Sequence, residues 1–123
     1  MERRVIYLAS PYSSPSSLLR TIRYLQACRA AAKIMEQGHV VFSPIAHSHP
    51  VAKYGQLDAL DAEMWKRQDE EFLSFASEVW VLTVGGWRDS HGVTHEIEWA
   101  RANGVPVRFL HPDHREPTDE PEA

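Results

Sequence analysis

The segment Asp89-Ser90-His91-Gly92-Val93-Thr94-His95-Glu96 concentrates residue types that can do chemistry. With Ser90 as a helix cap, Glu96 falls in the second turn and on the Gly92 side, because residues four apart share a helix face. Gly92 then leaves open space beside the carboxylate. Backbone amides at a helix start favour the ionised form of an acid, which is the form a nucleophile needs. The same spacing equally describes a solvated helix glutamate such as Glu98. Asp69 lies between Trp65 and Phe72 at the edge of an apolar helix face. A carboxyl partly removed from water there has a raised pKa and can hold a proton for a leaving group, or it is simply structural. Glu70 and Glu71 read as surface charge.

Ser10, Ser13, Ser14, Ser16 and Ser17 crowd one connection, with Arg20 and Arg23 one or two turns further on. Hydroxyls, helix amides and a guanidinium together suit a phosphate, although serines are also ordinary caps. The connection has no glycine, so it is neither a dinucleotide fingerprint nor a Walker loop. His47-x-His49 and His91-x3-His95 have metal-ligand spacings, but no HExxH is present and Cys28 is the one cysteine. These histidines read as surface or substrate-contacting residues, with a metal hydrolase using His47 and His49 kept as a rival. Trp87, in a glycine-flanked turn, offers a plane for stacking on a base or a cover for the core.

Positioning such groups requires a scaffold, and the pattern supplies one. Val5 to Ala9 is a short apolar run closed by Ser10-Pro11, the mark of a buried strand. Ser14-Pro15 reads as cap and first helical residue. Leu18, Ile22, Leu25, Cys28, Ala32 and Met35 follow at steps of three and four as a core-facing stripe, until Gly38 stops the helix. His39 to Ser43 is a second strand. Residues 44–60, with Pro50 and Gly55, read as a long irregular loop. Asp61 caps a helix carrying Met64, Trp65, Phe72 and Phe75, Glu78 to Val84 is a third strand, Ser90 starts a helix ended by Gly104, and Pro106 to Leu110 is a fourth strand. Alternating strands and helices imply a parallel sheet covered on both faces, with ligands beyond the carboxyl ends of its strands. The expected fold is a single-domain α/β, flavodoxin/Rossmann-like three-layer sandwich with four or five parallel strands.

The chain has 123 residues, 13 Lys+Arg and 17 Asp+Glu, a formal charge of −4. That describes one small domain able to bury a core without disulfides or a structural metal. Residues 111–123, acidic and Pro-rich, account for the whole −4 and read as a disordered tail after a domain at 1–110. Within the body, the part up to Leu57 carries +5 and the part from Asp58 to Leu110 carries −5. The acidic total therefore does not exclude an anionic ligand. No apolar run reaches the ~20 residues that span a bilayer, no signal-peptide core follows the N-terminus, and the lone thiol fits a reducing compartment. The expected location is cytoplasmic, with no membrane partner.

Ile6-Tyr7-Leu8-Ala9-Ser10-Pro11-Tyr12, Asp69 ahead of Glu78-Val-Trp-Val-Leu, and Ser90-x-Gly92-x3-Glu96-x3-Ala100-x3-Gly104-x-Pro106 together resemble the nucleoside 2-deoxyribosyltransferase-like superfamily over residues 4–110. The stretch from Gly38 to Pro50 is similar to a group of short bacterial and phage proteins within it. The resemblance implies an enzyme that cleaves an N-glycosidic bond through a covalent glycosyl intermediate. Glu96 matches the nucleophile, Tyr7 the strand tyrosine that fixes it, and Asp69 the acid at the sugar and leaving base. Hydrolysis of a nucleoside 5′-monophosphate is favoured over base exchange between deoxynucleosides. Ser10, Arg20 or Arg23, and Ser90 match phosphate-holding positions, while Ser10-Pro11-Tyr12 replaces the glycine-containing turn of many relatives. His47 and His49, for which the family supplies no role, are assigned to base or sugar contact, and Gly92 and Trp87 to the substrate pocket. No cofactor, metal or nucleic acid is called for. The expected partners are a small nucleotide or nucleoside and further copies of the chain, and a non-catalytic nucleotide-binding module is the competing class.

Overall fold

Val5–Ala9 forms β1, in which Ile6 and Leu8 face one side and Tyr7 and Ala9 the other, as successive side chains of a strand must. A computed structural model describes residues 4–122. β1 lies inside a four-stranded parallel sheet with β2 (Val40–Phe42), β3 (Glu78–Leu82) and β4 (Val107–Leu110), in the order β2-β1-β3-β4. Every residue of β3 is buried, which its Val, Trp and Leu content suits. Helix α1 (Ser17–Glu36) covers one face through Ala30, Ala31 and Ile34 against Ile6, Leu8 and Leu82. Helix α4 (His91–Ala102) covers the other through Val93 and Ala100 against Tyr7, Ala9, Val79 and Val81. The chain leaves β1 toward β2 on one side and returns to β3 on the other. A crevice for ligands therefore opens above the carboxyl ends of β1 and β3.

Three local expectations are corrected. The buried face of α1 is Ala27, Ala30, Ala31 and Ile34, whereas Leu18 is 70% exposed and Ile22 and Leu25 stand out beside it. Small residues bring the helix axis close to the sheet, so the stripe of larger side chains points outward. Helix α1 is capped by Ser16, whose Oγ accepts from the Leu19 N–H at 3.1 Å, and Pro15 lies before it. Residues 44–60 are not a loop throughout. Ser43 caps helix α2 (Pro44–Gly55), accepting from the Ala46 N–H at 3.1 Å, with Pro44 in its first turn. Pro50 sits inside α2 at the expense of one ladder bond. Helix α3 (Ala62–Leu73) follows, capped by Asp61 as the sequence predicts. Phe75 lies beyond it and is exposed, and Trp99 packs partly buried against the core.

The tail also differs from expectation. Phe109 and Thr118 exchange backbone hydrogen bonds of 2.7 and 3.0 Å in an isolated antiparallel bridge. Arg108 donates to the Pro117 carbonyl at 2.9 Å and pairs with Asp119, and Arg115 pairs with Glu122. Tail acids pair with arginines on β4 and within the tail, covering an edge strand that would otherwise stay open.

Candidate active site

A cavity of about 770 Å³ opens at the carboxyl ends of β1 and β3. Its floor is Glu96, in the second turn of α4 and only 6% exposed. Tyr7, in the middle of β1, donates its hydroxyl hydrogen bond to Glu96 Oε2. Strand alternation turns Tyr7 toward α4, and Phe42 of β2 supports its ring at 6.0 Å. Asp69 lines the cavity from α3.

Burial dominates the electrostatics of these three groups. It pushes Glu96 up to about 8, with the charge of Asp69 adding to the rise and the Tyr7 hydrogen bond opposing it. Asp69 rises to about 7 through burial. The Tyr7 hydroxyl is raised well above its ordinary value by burial and by the two carboxylates. Amides at the helix start were expected to keep Glu96 ionised; its enclosure outweighs them.

Ser90 caps α4, its Oγ accepting from the Val93 N–H at 3.2 Å, and it lines the cavity beside Gly92. A Cβ on Gly92 would come no nearer than 3.9 Å to Ser90 Oγ, an ordinary van der Waals contact. Ser10 is buried at the end of β1 and its Oγ has no hydrogen-bond partner among the described residues. Arg23 reaches in from α1, donating to the Ser13 and Tyr12 carbonyls at 3.0 and 3.3 Å, while its buried Nε has no partner among the described residues. The guanidinium fits because the facing residue is Gly86, at φ +89°, where a Cβ would lie 2.5 Å from Nη2.

Besides Tyr7, four sequence candidates stand off the cavity lining. Arg20 donates to the Ser14 carbonyl. His49 bonds the Tyr12 hydroxyl through Nδ1 at 2.7 Å and stacks on Tyr24 at 4.3 Å, with burial and the nearby Lys53 and Arg20 lowering its pKa. His47 packs against Phe42 and Phe72. Trp87 packs on Phe109 at 5.6 Å, with the Arg88 guanidinium over its ring, and so covers the core. Among the described residues no three His, Cys, Asp or Glu side chains converge as metal ligands would. His91 and His95, read in the sequence as surface or substrate-contacting histidines, do line the cavity, and Ile45, Ser48, Trp65 and Lys66 line it unannounced. Trp65 precedes Asp69 by four residues on α3, a same-face spacing that was available in the sequence.

Fold and cavity define an α/β protein with its site at the topological switch point of a parallel sheet. The chain belongs to the family described as Domain of unknown function (DUF1937), whose model matches residues 4–111. Among solved structures it is similar in fold to the 2-deoxyribosyltransferase from the psychrotolerant bacterium Bacillus psychrosaccharolyticus. The two share 22% identity over 97% of this chain and 77% of that one, with a TM-score of 0.60. No curated protein matches the chain.

Proposed function

We propose that this protein cleaves the N-glycosidic bond of a nucleoside 5′-monophosphate, or of a (deoxy)nucleoside, through a covalent glycosyl–Glu96 intermediate. The observation that carries this reading is the buried Glu96 carboxyl held by the Tyr7 hydroxyl on the cavity floor, with Asp69 beside it. Glu96 Oε attacks the anomeric carbon as the bond to the base nitrogen breaks. The base leaves with that electron pair and takes a proton from Asp69, which also positions the sugar. Water then attacks the same carbon, gives its proton to Asp69 and frees Glu96. A fixed carboxylate thus replaces one difficult substitution by two easier ones.

The phosphate preference rests on Ser10 Oγ and Arg23 Nε, two buried polar atoms without partners among the described residues, on side chains that line the cavity. Buried polar groups are ordinarily satisfied, and the α4 start at Ser90 adds amides suited to an anion. Base exchange is the second reading, and likeness in fold to a 2-deoxyribosyltransferase favours it.

Incubation with deoxynucleosides, ribonucleosides and their 5′-monophosphates, with and without a second free base, distinguishes these readings by base release. Release from monophosphates independent of added base is expected. Product nucleosides appearing only when a second base is present would transfer the assignment to base exchange. Saturable binding with no release over long incubation would make the protein a binding module. Glu96→Ala is expected to slow release by at least about a thousandfold.

A further inference from the structure

Glu96 and Asp69 are held differently. Glu96 is fixed by the Tyr7 hydrogen bond. The Asp69 carboxyl has no hydrogen-bond partner among the described residues, so its position follows from where α3 lies. The C-terminal end of α3 is anchored by buried Leu73 and by Phe72 stacked on Phe42 at 4.2 Å. Its first turns are hydrogen-bonded to the preceding loop, through the Asp61 cap and the Trp65 indole N–H donating to the Asp58 carbonyl at 2.9 Å.

One polar tie joins α3 to α4 among the described residues. His95 Nε2 and Glu70 Oε1 lie 2.8 Å apart. Glu70 follows Asp69 and His95 precedes Glu96, so the tie spans the gap between the backbone segments that carry the two acids. We infer that Glu70 and His95 are a positioning pair whose bridge sets the Asp69 carboxyl against Glu96 and the bound sugar. The inference rests on the glycosidase reading of that site. Both partners are partly exposed, at 33% for the His95 side chain and 40% for Glu70. Such pairs contribute little to stability, whereas a small displacement of a reacting group is costly in rate. The bridge therefore matters for geometry far more than for folding.

Glu70→Ala is expected to lower kcat for base release by about a hundredfold, as for an ångström-scale misplacement, with KM changed by less than about threefold and the melting temperature nearly unchanged. Glu70→Gln keeps an acceptor for His95 and is expected to recover most of kcat. Glu71→Ala, one residue on, serves as the control and is expected to match the parent. Equal kcat in Glu70→Ala and Glu71→Ala, an effect confined to KM, or a Glu70→Gln variant as slow as Glu70→Ala overturns the inference. A carboxyl-carbon NMR titration reads the same geometry without turnover. In the parent, the Glu96 signal is expected to carry a second inflection from Asp69, whose charge raises the Glu96 pKa. That inflection is expected to shrink in Glu70→Ala and to return in Glu70→Gln. Absence of base release in the parent defeats the glycosidase reading, and the NMR comparison then decides the pairing by itself: an unchanged inflection overturns it.

Discussion

Glu96 and Asp69 are each pulled between burial and use. Attack needs Glu96 ionised, and departure of the base needs the Asp69 proton. With burial placing Glu96 near about 8 and Asp69 near about 7, kcat/KM should rise with pH as Glu96 loses its proton and fall as Asp69 loses its own. The expected profile is a narrow bell peaking between those values. A plateau extending far to the alkaline side would show that Asp69 donates no proton. The same burial has a consequence for stability. The folded pKa of Glu96 lies above the unfolded carboxylate value, so the native state binds the extra proton and stability falls as pH rises from about 4.5 toward about 8. Glu96→Gln removes that cost, so its melting temperature relative to the parent should climb between about pH 5 and pH 9; a constant difference would place Glu96 in a wetter environment. The spacing around Ser90 made the helix and the Gly92 side of Glu96 legible. It contained no sign that Tyr7, 89 residues away, donates to that carboxyl. Contacts across the sheet leave no local period, and Tyr7 came forward only through family resemblance.

At the scale of elements, the turn after β3 and the first turns of α1 are set against each other by Arg23 and Gly86. A side chain at residue 86 would strike the guanidinium and strain a left-handed backbone. Gly86→Ala should therefore raise KM for nucleoside 5′-monophosphates by about tenfold or more, the scale of a lost hydrogen bond to a charged group. The corresponding nucleosides should be nearly unaffected. Equal losses for both would remove Arg23 from phosphate recognition. The strands and the caps at Asp61 and Ser90 were readable because apolar runs and capping residues act locally. Helix α2 was hidden by Pro50 and its histidines, although Ser43-Pro44 is itself a start signal. The inward face of α1 is not legible in the sequence because alanines, which let the helix approach closely, carry less hydrophobic weight than the outward Leu18, Ile22 and Leu25. His47 and His49 drew attention by type, but their rings are spent on aromatic packing and the Tyr12 hydroxyl.

For the molecule as a whole, the net charge separates into a body and a tail with different tasks. None of residues 111–122 lines the main cavity, while Thr118, Pro117 and Asp119 engage Phe109 and Arg108. Deleting residues 112–123 should leave the rate of base release unchanged and lower the melting temperature by uncovering the β4 edge; a large loss of turnover would bring the tail into the site. The outward apolar side chains of α1 fit the expected self-association. Leu18→Glu combined with Leu25→Glu should reduce the mass measured by light scattering, and a monomeric parent would refute that expectation. The body's basic first part supplies Arg23 and the serine-rich connection, and its acidic second part supplies Asp69 and Glu96. The sheet's switch point brings the two parts face to face. The central claim is that Glu96 carries the sugar during turnover. Intact-mass measurement and peptide mapping after acid quench of the protein turning over a 2′-fluoro-substituted nucleoside 5′-monophosphate test it most directly. The expected result is one glycosyl phosphate adduct on Glu96, absent from Glu96→Gln. Base release without any adduct, at the same rate in parent and Glu96→Gln, would contradict it.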